Sequence, residues 1–176
     1  MTDAPDASRG FTLIELLVTL TVAGILMGIA VPNFQTFVAN NRMASQANDL
    51  ITAINMARSE AVKRAANVTV CASSNSSTGN PPSCTGTWTQ GWIVQDAAGN
   101  PIRRQQALGG ASTLSAGTDV ASSITFASNG RTTIPTTATA ASTTLKLCPP
   151  SPYVVQGRAI QIERTGRTRV SAVACP

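Results

Sequence analysis

The feature that most constrains this chain is an apolar run near its start, residues 11–31, interrupted by a single acid, Glu15. A helix of that length rises ~30 Å at ~1.5 Å per residue, about the thickness of a bilayer's hydrocarbon core. A carboxylate in such a segment costs ~2.5–3.5 kcal/mol at mid-helix on insertion scales, so Glu15 calls for a functional reason. A cleaved secretory signal is the wrong explanation. Signal cores run ~7–15 residues, carry no acid and end at a small-residue site. This run is longer, holds Glu15 and ends at Pro32. A plain single-pass anchor fits the length but leaves Glu15 unexplained.

The next segment, residues 33–66, contains no Gly or Pro. Its apolar residues (Phe34, Phe37, Val38, Ala44, Ala47, Leu50, Ile51, Ile54, Ala57, Ala61 and Ala65) recur at helical spacing on one side. Pro32 lacks an N–H and is expected to bend or loosen the helix there. The expectation is one long helix, apolar over 11–32 and amphipathic over 33–66. Ala44, Ala47, Ala57 and Ala61 would let a sheet approach closely.

From residue 67 the pattern changes to short β-segments, expected at 68–71, 91–94, 102–108, 124–126, 143–147, 159–162 and 168–173. Turn clusters lie at 73–86, 96–101, 109–119, 128–130 and 132–142, and the stretch from Asp96 to Asn100 suits a hairpin loop. Frequent short strands argue for antiparallel sheets, so the fold class is α+β with a globular β domain over 67–176. The Thr/Ala-biased stretch 136–144 reads as a flexible loop or an edge. Trp92 reads as core. Trp88 lies in a turn-rich stretch that leaves it open to solvent, which is thin support for a base-stacking platform.

The chain carries +5 net charge and no histidine. Ser-His and Cys-His catalysis are excluded, as is the commonest metal ligand. Few acids and no clustered acid pair make an enzyme a poor reading, and no cofactor is expected. Arg131, Lys146, Arg158, Arg164, Arg167 and Arg169 face only Glu163 after residue 130, which points to an anionic partner. The four cysteines, Cys71, Cys84, Cys148 and Cys175, are widely spaced without CxxC, which disfavours zinc and favours disulfides on an oxidising side of a membrane. Three connectivities are possible. Cys71–Cys84 with Cys148–Cys175 is favoured because each closes a local loop.

Gly10-Phe11-Thr12-Leu13-Ile14-Glu15-Leu16-Leu17, followed by an apolar helix with Gly24 and Pro32, resembles the type III prepilin signal of type IV pilins and type II secretion pseudopilins. The resemblance implies that residues 1–10 are a leader cut after Gly10 by a prepilin peptidase, and that Phe11 is then N-methylated. Loss of Asp3, Asp6 and Arg9 with the leader would raise the charge to +6. The apolar helix would stay as an inner-membrane anchor with a periplasmic domain, and later as filament core among other pilins. Glu15 would then pair with the α-amino group of a neighbouring subunit, since a buried charge is tolerated only when paired.

Three further stretches, 56–70 (MARSEAVKRAANVTV), 124–131 (ITFASNGR) and 160–169 (IQIERTGRTR), are similar to the GspH/FimT/FimU group of minor pilins and pseudopilins. The implied fold is type IV pilin-like, a long N-terminal helix packed on a two-sheet antiparallel β domain. A C-terminal G-R-x-R, here Gly166-Arg167-Thr168-Arg169, is associated with the FimT-type members that bind DNA during natural transformation. FimU-type tip primers and GspH-type pseudopilins remain the alternatives.

The residue chemistry suits such a role. In an extended segment Arg167 and Arg169 share one side, ~6.5–7 Å apart, close to the spacing of successive phosphates. Gly166 permits a turn that adds Arg164, and Arg158 is expected to extend the patch across the hairpin. Guanidinium groups take phosphate bidentately and keep their charge. With no recognition helix, and with Trp88, Trp92, Phe126 and Tyr153 the only aromatics past the helix, backbone-directed binding without base readout is expected.

Overall fold

The computed structural model describes residues 10–117, 122–133, 142–151 and 155–175. Most of the expected leader, Tyr153 and most of the Thr/Ala-biased stretch lie outside the described residues. Contacts divide the chain into two compact units, Met1–Val38 and Ala39–Pro176.

Helix α1 (Leu13–Arg64) begins at a cap that the sequence specifies. Thr12 accepts the Glu15 N–H on its hydroxyl at 3.3 Å, and Leu16 N–H reaches the Thr12 carbonyl at 3.2 Å. Thr-x-x-Glu is the capping-box order, and an acid in the first turn complements the helix dipole. In the first unit the apolar side chains from Phe11 to Phe37 are exposed. This helix is the described one long and apolar enough to cross a membrane.

Pro32 does not end the helix. It withdraws one donor, while Asn33 Nδ2 donates to the Ile29 carbonyl (3.0 Å) and the Thr36 hydroxyl to the Pro32 carbonyl (3.1 Å).

In the second unit α1 buries Ala39, Met43, Gln46, Ala47, Leu50, Ala53, Ile54, Ala57 and Ala61. Ala47, Leu50, Ile54, Ala57 and Ala61 are the expected stripe, but Phe34, Phe37 and Val38 are exposed, Ala44 and Ile51 are half-buried, Ala39, Met43 and Ala53 are buried in addition, and Ala65 lies beyond the helix and is exposed. Ala65 adopts φ 49°, Ala66 N–H bonds the Ala61 carbonyl and Ala65 N–H the Val62 carbonyl. That pair of bonds is a Schellman stop, here with alanine where glycine is usual.

The strands are β1 (Val68–Ala72), β2 (Trp92–Asp96), β3 (Pro101–Gln105), β4 (Thr113–Ala116), β5 (Ser123–Phe126), β6 (Ser142–Cys148), β7 (Gly157–Glu163) and β8 (Thr168–Val173). They form two antiparallel four-stranded sheets, ordered β3-β2-β1-β5 and β4-β6-β7-β8. One apolar core joins the helix stripe to Val68, Val70, Trp92, Val94 and Phe126 of the first sheet and to Leu145, Leu147, Ile160 and Ile162 of the second. Each fully buried Leu, Ile or Phe stabilises the fold by ~1.5–3 kcal/mol. The architecture is the α+β, type IV pilin-like arrangement that the sequence implies.

Two local expectations need correction. Strand β4 falls within the expected turn cluster 109–119. Its Ser, Thr and Ala read as turn, but pairing with β6 places Leu114 opposite Leu147, where both are buried. Trp88 is not open to solvent: it sits in a short 3-10 turn, Trp88–Gln90, and is 2% exposed within the core. Disulfides join Cys71 to Cys84, tying β1 to the following loop, and Cys148 to Cys175, tying the end of β6 to the segment after β8.

Candidate functional site

The basic residues of the C-terminal half gather on the β7–β8 hairpin. Its turn is tight because Gly166, at φ 78°, donates its N–H to the Glu163 carbonyl at 2.8 Å. Only glycine adopts that backbone without strain. The register pairs Ile162 with Thr168 and Gln161 with Arg169, and Glu163 N–H bonds the Arg167 carbonyl at 2.9 Å. Directly opposed residues share a face, so Arg167 and Arg169 stand on the face of Gln161 and Glu163, away from the buried Ile160 and Ile162. Both arginines are exposed. Arg169 Nε meets Glu163 Oε1 at 3.0 Å, an ion pair at a largely solvated site worth ~0–1 kcal/mol. Arg167 has no ion pair among the described residues. Arg164 is half-buried in the turn, and its carbonyl accepts the Thr132 N–H at 3.0 Å.

Arg158 does not join this group. It opposes Leu147 and Ala172, sharing the face of Ile160, and lies toward the other end of the hairpin. The expectation that it extends the patch is corrected by register: Arg158, Ile160 and Ile162 have the same parity, so Arg158 points to the core side and is half-buried.

Three residues outside the hairpin hold its turn, and sequence reading did not assign them this role. Arg58 of α1 donates from Nη1 to the Gly166 carbonyl (3.4 Å). The Thr132 hydroxyl donates to the Glu163 carbonyl (3.2 Å). Gly130, at φ 73°, presents its carbonyl where a side chain on Gly166 would have to go. The signal was available, since Arg58 and Gly130 lie in two of the stretches singled out in the sequence, but their meeting is a tertiary fact. The far end of the hairpin is fixed by the Cys148–Cys175 disulfide, with Gly157 against Cys175 Sγ and the Leu147 carbonyl.

At the other end of the chain, Gly10, Phe11 and Glu15 are all exposed, and Glu15 sits in the first turn of α1 behind the Thr12 cap. The cap leaves the carboxylate of Glu15 among exposed apolar side chains with no ion pair among the described residues.

Comparison with known proteins agrees with this geometry. The model of the family described as Type II transport protein GspH matches residues 46–166, and that of the prokaryotic N-terminal methylation motif matches residues 6–31. Among curated relatives, fimbrial protein EcpC of Eikenella corrodens is 42% identical over 43 residues, 24% of this chain and 28% of its own length. Type IV major fimbrial protein FimA of Dichelobacter nodosus is 41% identical over 49 residues, 26% of this chain and 31% of its own. The chain thus spans less than a third of these relatives. Among solved structures, type IV minor pilin FimU of Pseudomonas aeruginosa superposes with a TM-score of 0.54 at 25% identity, covering 77% of this chain and 92% of that one. The GspH match takes in more than half of the chain, from the packed part of α1 through β7, so this protein belongs to the GspH family, whose fold is that of structural pilins and not of enzymes.

Proposed function

We propose that the chain is a minor subunit of a type IV pilus that binds DNA by its phosphate backbone, through the β7–β8 hairpin, during natural transformation. The observation that carries this reading is the pair Arg167 and Arg169, exposed on one face of the hairpin behind a glycine turn, with Arg167 free of ionic partners among the described residues. A phosphate that displaces Glu163 from Arg169 gives up only a weak exposed ion pair and gains a charge-assisted one.

The same reading assigns the N-terminal half. A prepilin peptidase cuts after Gly10, Phe11 is N-methylated, and the apolar half of α1 anchors the chain in the inner membrane with the β domain in the periplasm. On assembly α1 packs among other pilins, and Glu15 pairs with a neighbour's α-amino group. The methylation-motif match, the exposed apolar helix and two disulfides suited to an oxidising compartment support this.

A second reading, a FimU-type pilus-tip subunit that does not bind DNA, is favoured by the likeness to FimU and by the Glu163 contact that occupies Arg169. A third, a GspH-type pseudopilin of type II protein secretion, is favoured by the family match.

An electrophoretic shift with the full chain in nonionic detergent, run at two salt concentrations, separates them. Three phosphate contacts, at Arg164, Arg167 and Arg169, give a log–log salt slope near −2.7, at ~0.9 each on duplex DNA. Arg167→Gln with Arg169→Gln abolishes the shift and leaves the melting temperature nearly unchanged. A wild-type chain that shifts no DNA rules out the first reading. Deletion then divides the other two by loss of pili or loss of exoprotein secretion.

A further inference from the structure

Two of the sequence stretches that the function above does not use converge on the hairpin turn. Arg58 lies against Gly166, its Nη1 at 3.4 Å from the carbonyl, and its Nε 3.0 Å from where a Gly166 Cβ would stand. The same Nε is 3.3 Å from the corresponding position of Gly130. Gly130 is followed by Arg131, whose N–H is held by the Asn129 side chain at 3.0 Å in a turn closed by Ala127 N–H to the Arg131 carbonyl at 2.9 Å. Thr132 then bonds the hairpin at both Glu163 and Arg164. The helix, the 127–131 turn and the 163–167 turn therefore meet at two glycines, and each carries an exposed arginine.

Charge makes this meeting more than a brace. Arg58, Arg131 and Arg167 are exposed, and none has an ion pair among the described residues. Glu163, the acid of the hairpin, is engaged with Arg169. The Arg58 guanidinium spends one donor on Gly166 and keeps the rest of its fork available. Glycine at 130 and 166 lets the helix and the two turns pack this closely, which brings the elements that carry the three arginines together.

We propose that the nucleic-acid footprint is not confined to the hairpin but runs from Arg167 and Arg169 across the 127–131 turn to Arg58 on the helix. Arg58 and Arg131 are thus further phosphate-binding residues. This rests on the DNA-binding reading above and widens it from three phosphate contacts (Arg164, Arg167 and Arg169) to five with Arg58 and Arg131.

The two sizes differ in a measurable way. Five contacts give a log–log salt slope near −4.5 on duplex DNA, against about −2.7 for the hairpin alone. The test is fluorescence anisotropy of the detergent-solubilised full chain with a labelled mixed-sequence duplex, titrated at several salt concentrations. Arg58→Gln and Arg131→Gln are each expected to make the slope shallower by ~0.9, and Arg58→Lys to hold it. Because Arg58 also braces the turn, the exposed Arg131 gives the independent result. A wild-type slope near −2.7 that neither Gln variant changes overturns the wider footprint and leaves the hairpin reading intact. A wild-type chain that binds no duplex overturns both.

Discussion

Gly166→Ala tests whether the hairpin turn is built by close packing or only by a permissive backbone. At φ 78° an alanine pays the left-handed penalty of ~1–2 kcal/mol. The added methyl would also stand against the Gly130 carbonyl, with Arg58 Nε at 3.0 Å. The carbonyl is backbone and cannot swing aside, so an overpacking cost of ~1–3 kcal/mol adds to the first, about 2–5 kcal/mol in all. Gly99→Ala is the matched control: its φ is 85°, but open space surrounds the new methyl, so it pays the backbone cost alone. Thermal unfolding of the detergent-solubilised chain, followed by near-ultraviolet circular dichroism of the buried Trp88 and Trp92, reads both. At ~3 °C per kcal/mol for a domain of this size, Gly166→Ala should melt ~3–9 °C below Gly99→Ala. DNA affinity should fall in Gly166→Ala although every arginine is retained. Equal melting of the two variants would refute the packing argument.

Other substitutions probe separate parts of the fold. Ala65→Gly relieves the left-handed helix stop and should stabilise the domain by ~0.5–1 kcal/mol in chemical denaturation. Asp96 is held below its ordinary pKa of 3.8, chiefly by the Asn100 N–H, with the Asn100 side chain and the Ala98 N–H adding to it. A depressed carboxyl contributes stability that is present above the unfolded value and lost as pH falls through the folded one. Asp96→Asn should therefore flatten the fall in melting temperature below about pH 4 and leave it unchanged in shape at neutral pH. Replacing Cys148 and Cys175 together by Ala, which removes a cross-link over 27 residues, should cost ~3.5 kcal/mol by loop entropy, read by the same denaturation.

Much of this architecture is legible in the chain because its signals are local. The stripe from Ala47 to Ala61 announces a helix face, and strand β1 shows as a β-branched run ending at Cys71. The Thr12–Glu15 cap is also written locally, but the cost of Glu15 in a membrane draws attention away from its ordinary place in a first helical turn. Other features fail for physical reasons. Ser and Thr in β4 hydrogen-bond readily in turns, and only β6 beside them makes a strand. Trp88 follows a turn-rich loop, yet it is packed into the core with Trp92 and Leu114, which only the fold brings together. Arg158 lies off the patch for a reason that is itself local, since the period of two sets it with Ile160 and Ile162. The approach of Arg58 and Gly130 to Gly166 is out of reach of any local rule, because it depends on how the helix and two turns pack.

The place of the arginines in the sheet reconciles an edge-protecting role with the proposed DNA binding. Strand β8 is the outer strand of its sheet, with β7 on one side and no strand on the other among the described residues. An uncovered edge invites pairing with other strands, and charged side chains are a common defence. Arg167 and Arg169 supply that charge at the beginning of β8, where a second basic edge would be repelled. The same positive edge attracts a polyanion. It is also stiff: β6 supports β7 along its length, the Cys148–Cys175 disulfide holds one end, and Arg58 with Thr132 hold the turn at the other. A strand fixed at both ends would lose little further freedom when a ligand settles on it, so in the proposed DNA complex its arginines would spend their binding energy on the phosphates rather than on ordering the backbone.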